Sequence, residues 1–189
     1  MRTCVTTPLY MRLLRDSWKE LAEPVRRAHT THVIVRAHGQ LRVEHGRHTL
    51  ARLLARMLGL PRPSPAATTR LTVTAHAGGE RWERAINGRR LDSHQYASQA
   101  FELAERFGVI EFRFRLAPSD GSLVFIQREA AFVFGRVRVR IPASCAPRVE
   151  AREEPAGATR VKVDVRVALP GIGPLIMYNG VIDLEDTSA

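Results

Sequence analysis

The sequence predicts an α+β protein dominated by antiparallel strands, folded as a strongly curved sheet or β-barrel of about 8–10 strands with two helices covering one end. Two observations carry that expectation. The first is strict alternation. In Glu111-Phe112-Arg113-Phe114-Arg115-Leu116, in Arg136-Val137-Arg138-Val139-Arg140-Ile141 and in Val161-Lys162-Val163-Asp164-Val165-Arg166-Val167, polar and apolar residues trade places at every step. A period of two sends the apolar residues to one face and the charges to the other, as in antiparallel strands with one packed side. The second is turn chemistry. Pro118-Ser119-Asp120-Gly121-Ser122, Gly78-Gly79 and Asn87-Gly88 separate the runs with residues that tight turns favour. So many antiparallel strands either split into a sandwich or curl closed, since both remove exposed edges.

The chain divides into a flexible start over 1–7, one barrel-like domain over 8–184 and a short acidic tail over 185–189. Leu9, Leu13, Leu14, Trp18 and Leu21 follow helical spacing from Pro8 to about Ala28, and Pro24 breaks or restarts that helix. His32 to His45 reads as a strand in which Gly39 marks a bend or a close approach. Thr49 to Leu58 reads as an apolar helix carrying Leu50, Leu53, Leu54, Met57 and Leu58, with Gly59 placed to end it. Arg62 to Thr68 reads as a connector, and Thr69–Ala77 with Glu80–Ile86 as a hairpin. Arg89 to Gln99 is an edge strand plus loop, and Ala100 to Phe107 stays open between a helical turn and a strand. Gly108 to Pro142 holds at least two consecutive strands and a third. Strands at Arg148–Glu154, around Val161 and at Leu175–Leu184 complete the chain.

The length of 189 residues suffices for one domain with a real core, and 44% apolar with 25% charged residues is ordinary for a globular protein. No apolar run approaches about 18 residues, so no membrane span is expected. The opening residues lack the pattern of a signal peptide, and with only Cys4 and Cys145 a reducing, cytoplasmic setting is expected. The net charge is +10, from 29 Lys and Arg residues of which only Lys19 and Lys162 are lysines. Such charge attracts nucleic acid, anionic membranes or acidic partners. No zinc spacing, aromatic RNA-binding signature or helix-turn-helix accompanies it, so nucleic acid is not an expected partner. The arginine bias also fits a GC-rich coding genome.

Candidate chemistry lies on the apolar faces. Phe112, Phe114, Phe125, Phe132, Phe134, Val137 and Val139 line either a cavity or a filled core. Polar residues are embedded among them. Trp82 and Arg84 share a strand face, Gln127 and Glu129 share another, and Tyr178 sits in Leu-Ile-Met-Tyr-Asn-Gly. A buried charge is expensive unless paired, so Arg84 and Glu129, if both point inward, meet each other or a ligand. The candidate catalytic residues are therefore Glu129, Tyr178 and Arg84, and the candidate ligand-binding residues Trp82, Phe112, Phe114, Phe125 and Gln127. A carboxyl group and a phenol in an apolar pocket suit acid–base work, such as isomerisation or cyclisation of a hydrophobic substrate without a cofactor. The basic strand faces, with Arg113, Arg115, Arg136, Arg138, Arg140, Lys162 and Arg166, form either an anion stripe or simply the solvated side of the sheet. The seven histidines show no metal spacing, so no metal site is expected. Gly171-Ile-Gly173 and Gly78-Gly79 are turns rather than phosphate loops.

Several segments, taken in order, resemble the bacterial domain-of-unknown-function family numbered 4166. They are LYMRLLRDSWKELAEPVRRAH, LARLLARMLGLP, the WER of the hairpin, ERFG, the IP after Arg140 and PGIGPLIMYNG. The resemblance runs from about Pro8 to Ile182. The chain departs from the family pattern at Arg36-Ala37-His38-Gly39, where Arg-Gly is usual, and at Ala85-Ile86, where a phenylalanine is usual. The resemblance implies no activity. It does imply a partner, because such domains are often fused behind a saccharopine-dehydrogenase-like oxidoreductase region. No dinucleotide fingerprint precedes this one, so that partner would be a separate protein. Two functions are expected on these grounds, and a third is weighed beside them, electrostatic binding of nucleic acid or anionic membrane through the arginine face. The first is a β-barrel that binds a hydrophobic, lipid-like or polyketide-like small molecule and acts on it without a cofactor. The second is a non-catalytic accessory domain with a packed interior.

Overall fold

The computed structural model describes residues 7–98 and 101–185. Cys4, nearly all of the 1–7 segment and nearly all of the 185–189 tail lie outside the described residues. Twelve strands form one antiparallel sheet. They are β1 (Ile34–His45), β2 (Ser64–His76), β3 (Gly79–Ile86), β4 (Arg89–Arg90), β5 (Ser93–Ala97), β6 (Leu103–Phe107), β7 (Ile110–Ser119), β8 (Ser122–Phe134), β9 (Val137–Arg140), β10 (Arg148–Pro155), β11 (Arg160–Leu169) and β12 (Gly173–Leu184). All but β4 and β9 close into a ring, and that ring is the barrel the alternation predicts. Two contacts make it continuous. β1 pairs β12 from Ala37↔Leu184 to His45↔Ile176, and β8 pairs β10 from Leu123↔Glu153 to Ile126↔Glu150. β4 is a short addition to β3, and β9 is an addition to the far half of β8.

The period-two pattern sets which side chains enter the ring. Phe112 and Phe114 are buried while Arg115 is exposed, and Val161 is buried between outward-facing Arg160 and Lys162. The turns follow their chemistry. Asn87-Gly88 and Asp120-Gly121 both have positive φ at each residue, the twist that two-residue hairpins require. The open segment at Ala100–Phe107 resolves as β6. The expected connector at Arg62–Thr68 is instead the start of β2, with Ser64 opposite Val43. Its prolines stay at the head of the strand, where a missing N–H disturbs the ladder least.

Gly39 marks a close approach rather than a bend. Pairing with β12 runs through it without a register break, and a Cβ there would sit 2.2 Å from the Val181 carbonyl oxygen.

Among the described residues there are three α-helices rather than two, and they divide between the ends of the barrel. α1 (Leu9–Leu14), a 3-10 turn (Arg15–Glu20) and α2 (Glu23–Ala28) replace the single expected N-terminal helix. Pro24 stands in the first turn of α2, so it restarts the helix. This segment forms the floor. Leu9, Tyr10, Leu14, Trp18, Leu21 and Val25 are buried in the main core, and Leu21 bridges Gly121 at the β7–β8 turn. Each such side chain contributes roughly 1.5–3 kcal/mol through burial. α3 (Thr49–Met57) sits at the opposite end, packed on β12 by Ala51 and Ala55 against Leu175. His48 caps it by accepting from Leu50 N–H at 3.2 Å, and His45 Nε2 donates to the Pro61 carbonyl at 2.8 Å just beyond it.

Gly39→Ala should lower stability by about 2–3 kcal/mol, equivalent to a Tm drop of roughly 5–10 °C, because the β1–β12 backbones must part to admit the methyl group. Thermal denaturation followed by circular dichroism measures it. An unchanged Tm would show that the approach is not as tight as described.

Candidate functional site

The ring encloses a cavity of about 640 Å³ that opens toward the α3 end. A cavity of this size is within the range of small-molecule sites, roughly 300–1,000 Å³. The interior is therefore not filled by its own side chains. Leu41 of β1, Leu71 of β2, Ile86 of β3, Phe107 of β6, Val165 of β11 and Ile176 of β12 give it apolar walls. Near the opening Leu54, Leu58 and Leu60 join them.

One wall is polar. Along β3 the inward residues are Glu80, Trp82, Arg84 and Ile86, in order from floor to opening. Arg84 donates to Ser93 Oγ at 2.8 Å and to Glu105 Oε1 at 3.0 Å, and Ser93 Oγ donates to the same carboxylate oxygen at 2.7 Å. The guanidinium also lies 4.8 Å from the centre of the Trp82 ring, within cation–π range. Desolvation works against its charge, but Glu105 outweighs that and raises the Arg84 pKa further. Tyr178 of β12 faces the same cavity. Burial pushes its pKa up to about 12, with Arg84 pulling the other way. Among the described residues no side chain hydrogen-bonds its hydroxyl.

The floor supplies a second polar group. Tyr10 stacks on His29 with ring centres 3.8 Å apart and donates to Gln95 Oε1 at 2.7 Å. His29 Nε2 lies 2.6 Å from Glu153 Oε2. Trp82 Nε1 donates to Glu80 Oε2 at 3.1 Å. Burial, reinforced by Glu153 and Glu80, raises the Tyr10 pKa well above its ordinary value. Burial also raises the Glu80 pKa, against the opposing pull of His29. Tyr10, Trp82, Gln95 and Glu153 touch the cavity, whereas His29 and Glu80 lie behind it.

The structure brings together Arg84, Tyr178, Trp82, Phe112, Phe114 and Phe125, all lining the cavity. It separates Glu129 and Gln127 from them. The β7–β8 register jumps from Arg113↔Glu129 to Phe114↔Gln127, which leaves Arg128 as an extra residue and reverses the alternation along β8. Glu129 therefore faces outward, where Arg138 donates to it at 2.5 Å and Arg113 and Arg140 lie at 3.4 and 3.5 Å. The expected Arg84–Glu129 meeting does not occur; Glu105 takes that place. Gln127 spans the seam between β8 and β10, donating to the Pro147 carbonyl and accepting from Val149 N–H. Phe132, Phe134, Val137 and Val139 are also outside the cavity, on the part of β8 and β9 that runs past the ring.

The outer arginines are largely engaged. Arg113 and Arg138 flank Glu111, which is buried beneath them and also bonded by Tyr96. Burial alone would raise the Glu111 pKa, but the hydrogen bonds from Tyr96 and Arg138 outweigh it and hold it below the usual value. Lys162 pairs with Glu154 at 2.8 Å. Much of the basic stripe is thus a set of cross-strand pairs. Among the described residues no group of three or more His, Cys, Asp and Glu side chains could hold a metal ion.

Residues 21–182 match the family described as Domain of unknown function (DUF4166). The chain belongs to that family. No curated protein matches it, and no solved structure does. The matched span covers the ring and α3 but starts within the floor, so Tyr10 of this DUF4166 chain precedes it.

Glu105→Ala should destabilise by about 3–5 kcal/mol, because Arg84 is then left unpaired inside the barrel. Glu129→Ala, on the outer face, should cost about 1 kcal/mol. Urea unfolding of the two variants checks the contrast, and equal losses would contradict the inside–outside assignment. A second expectation concerns pH. All three tyrosines, Tyr10, Tyr96 and Tyr178, have raised pKa values, the last two to about 12. The folded state then holds phenolic protons that the unfolded state releases near pH ~10. Their contribution is fully present below that pH and is lost as pH climbs from about 10 to 12. Unfolding followed by phenolate absorbance should show no tyrosine ionising ahead of the loss of structure.

Proposed function

We propose that the barrel binds an elongated apolar molecule with a hydrogen-bonding head group. The observation that carries this is the cavity of about 640 Å³, apolar on most sides and polar on one wall. The head group lies against Arg84, Glu105 and Tyr178, and the apolar body lies toward Leu54, Leu58 and Leu60. The polar wall fits a neutral or zwitterionic head, since the Arg84 charge is already balanced by Glu105. An oxygen acceptor on the ligand suits the Tyr178 hydroxyl, a phenol that carries its proton at neutral pH and whose ionisation burial pushes up still further. The binding free energy comes mainly from apolar area removed from water, and the polar wall sets orientation.

A second reading is supported by Tyr178 specifically. A neutral phenol without a protein partner, set beside a guanidinium and a carboxylate in a desolvated site, can deliver a proton to an acceptor as charge develops there. The reaction class is a cofactor-independent isomerisation or cyclisation of the bound molecule, with Glu105 and Glu153 as the nearby carboxylates.

Native mass spectrometry of the purified chain, with organic extraction, should show a co-purifying apolar molecule. A fluorescent long-chain fatty alcohol should bind and quench Trp82 in a Trp18→Phe background. Ala151→Phe with Val165→Phe fills the cavity and should abolish that binding while the fold persists. Tyr178→Phe should weaken it about 3–10-fold, the worth of one net hydrogen bond. Binding that survives the filled cavity would sink the proposal.

A further inference from the structure

We propose that the open end of the barrel docks on the surface of an anionic lipid bilayer, and that the bilayer is the source or destination of the bound molecule. The second half of this inference rests on the ligand reading above; the docking itself rests on the rim. α3 packs with its small side inward. Ala51 and Ala55 are fully buried, while Leu53 and Met57 remain 53% and 74% exposed. A soluble helix ordinarily does the reverse and buries its leucines. The inversion has a local cause. Gly46, just before the helix, lies so close to the Pro174 carbonyl that a Cβ would collide at 1.8 Å and would meet Ala51 at 3.4 Å, so α3 starts close on β12 with its small residues against the sheet.

A second exposed apolar element rises from the rim away from α3. β8 and β9 run past the ring beside the Phe107–Ile110 turn, with Val133 N–H bonded to the Val109 carbonyl. Phe134 and Val137 there are 57% and 60% exposed, and Phe132 stacks on Phe134 with ring centres 6.2 Å apart. Exposed apolar groups of this kind, on two elements of one rim, mark a surface that meets another apolar phase. The strand ends place both elements at the end where the cavity opens.

The charge around them selects the partner. Between Glu44 and Glu80 the chain carries Arg47, Arg52, Arg56, Arg62 and Arg70 and no acidic residue. Between Glu129 and Glu150 it carries Arg136, Arg138, Arg140 and Arg148, again with no acidic residue. Arg47, Arg52, Arg56, Arg62, Arg136 and Arg148 are exposed, and among the described residues none is in an ion pair. Unpaired arginines interleaved with exposed leucines on a short helix are the pattern of a segment that lies in a membrane interface. Each basic residue close to an anionic leaflet adds roughly fivefold in affinity. Among the described residues no helix is long and apolar enough to cross a membrane, so α3 would lie on the bilayer with its axis near the surface plane. Lipid can then enter the cavity past Leu54 and Leu58 without passing through water.

The test is co-sedimentation of the full chain with phosphatidylcholine vesicles containing roughly one-third phosphatidylglycerol, against pure phosphatidylcholine vesicles, at low and physiological salt. The chain should sediment with the anionic vesicles, less so at high salt, and remain free with the neutral ones. Leu53→Asp with Met57→Asp, at positions that do not line the cavity, should weaken sedimentation at least about tenfold without lowering Tm or fatty-alcohol binding. Arg52→Glu with Arg56→Glu should do the same. Sedimentation unaffected by these pairs would overturn the assignment, as would a wild-type chain that stays free at low salt. A dimer in analytical ultracentrifugation that Leu53→Asp with Met57→Asp dissociates would also overturn it, by showing that a second copy covers the face. A wild-type chain that binds the fatty alcohol but not the anionic vesicles removes only the docking; one that binds the vesicles but not the fatty alcohol removes only the ligand reading.

Discussion

Closure of the ring through β8 and β10 is the constraint on which the interior depends. β8 serves two neighbours along one edge. Its first residues, Leu123 to Ile126, pair β10, and its last, Ala131 to Phe134, pair β9. Without the first set the sheet would be an open trough, and the polar wall would face water. At the point where the two neighbours part, Gln127 bonds the Pro147 carbonyl and Val149 N–H with its own amide. A side chain thus stands in for the ladder at the seam, which keeps backbone polar groups satisfied where strand pairing cannot.

Inside a closed ring, polarity is graded along each strand by the choice of every second residue. β3 runs from Glu80 through Trp82 and Arg84 to Ile86, from floor to opening. Its charges are held by neighbours in the same wall, since Ser93 and Glu105 lie on the adjacent strands β5 and β6. An ion pair of this kind stabilises little in itself, because desolvation offsets most of the attraction. What it provides is orientation, fixing donors and acceptors at known places in an otherwise apolar volume. The floor follows the same logic, where the N-terminal segment bonds across to the strands: Tyr10 donates to Gln95 on β5, and His29 lies 2.6 Å from Glu153 on β10.

Much of this was legible in the sequence, and the failures have identifiable causes. Period-two alternation was enough to place Trp82, Arg84, Phe112, Phe114, Phe125 and Tyr178 on inward faces. Glu105 was equally readable, as the middle of Leu103, Glu105 and Phe107, once the segment is taken as a strand. Glu129 was misplaced because one additional residue, Arg128, reverses the phase of β8 beyond it, and Gln127, still in the phase of Phe125, was misplaced because its amide is taken up by Pro147 and Val149 at the seam; no local signal announces either. Val137 and Val139 alternate perfectly yet face solvent, because alternation reports a strand's two sides without saying whether anything covers the apolar one. Tyr10 and His29 belong to a segment whose place is set only by docking onto distant strands, so no spacing within it could reveal them.

The pairing of β1 with β12 has a consequence for how the chain is made. The first strand of the ring to be synthesised hydrogen-bonds along one side to the ring's last, with partners as far apart in sequence as Ala37 and Leu184. α2 likewise rests on β10, β11 and β12. Until β12 has been made, a growing curl of β1 through β11 has an unsatisfied first edge and an open, oily concave side. Contacts this distant in sequence slow folding, and the half-made barrel leaves a strand edge and apolar surface open to misassociation for as long as closure takes.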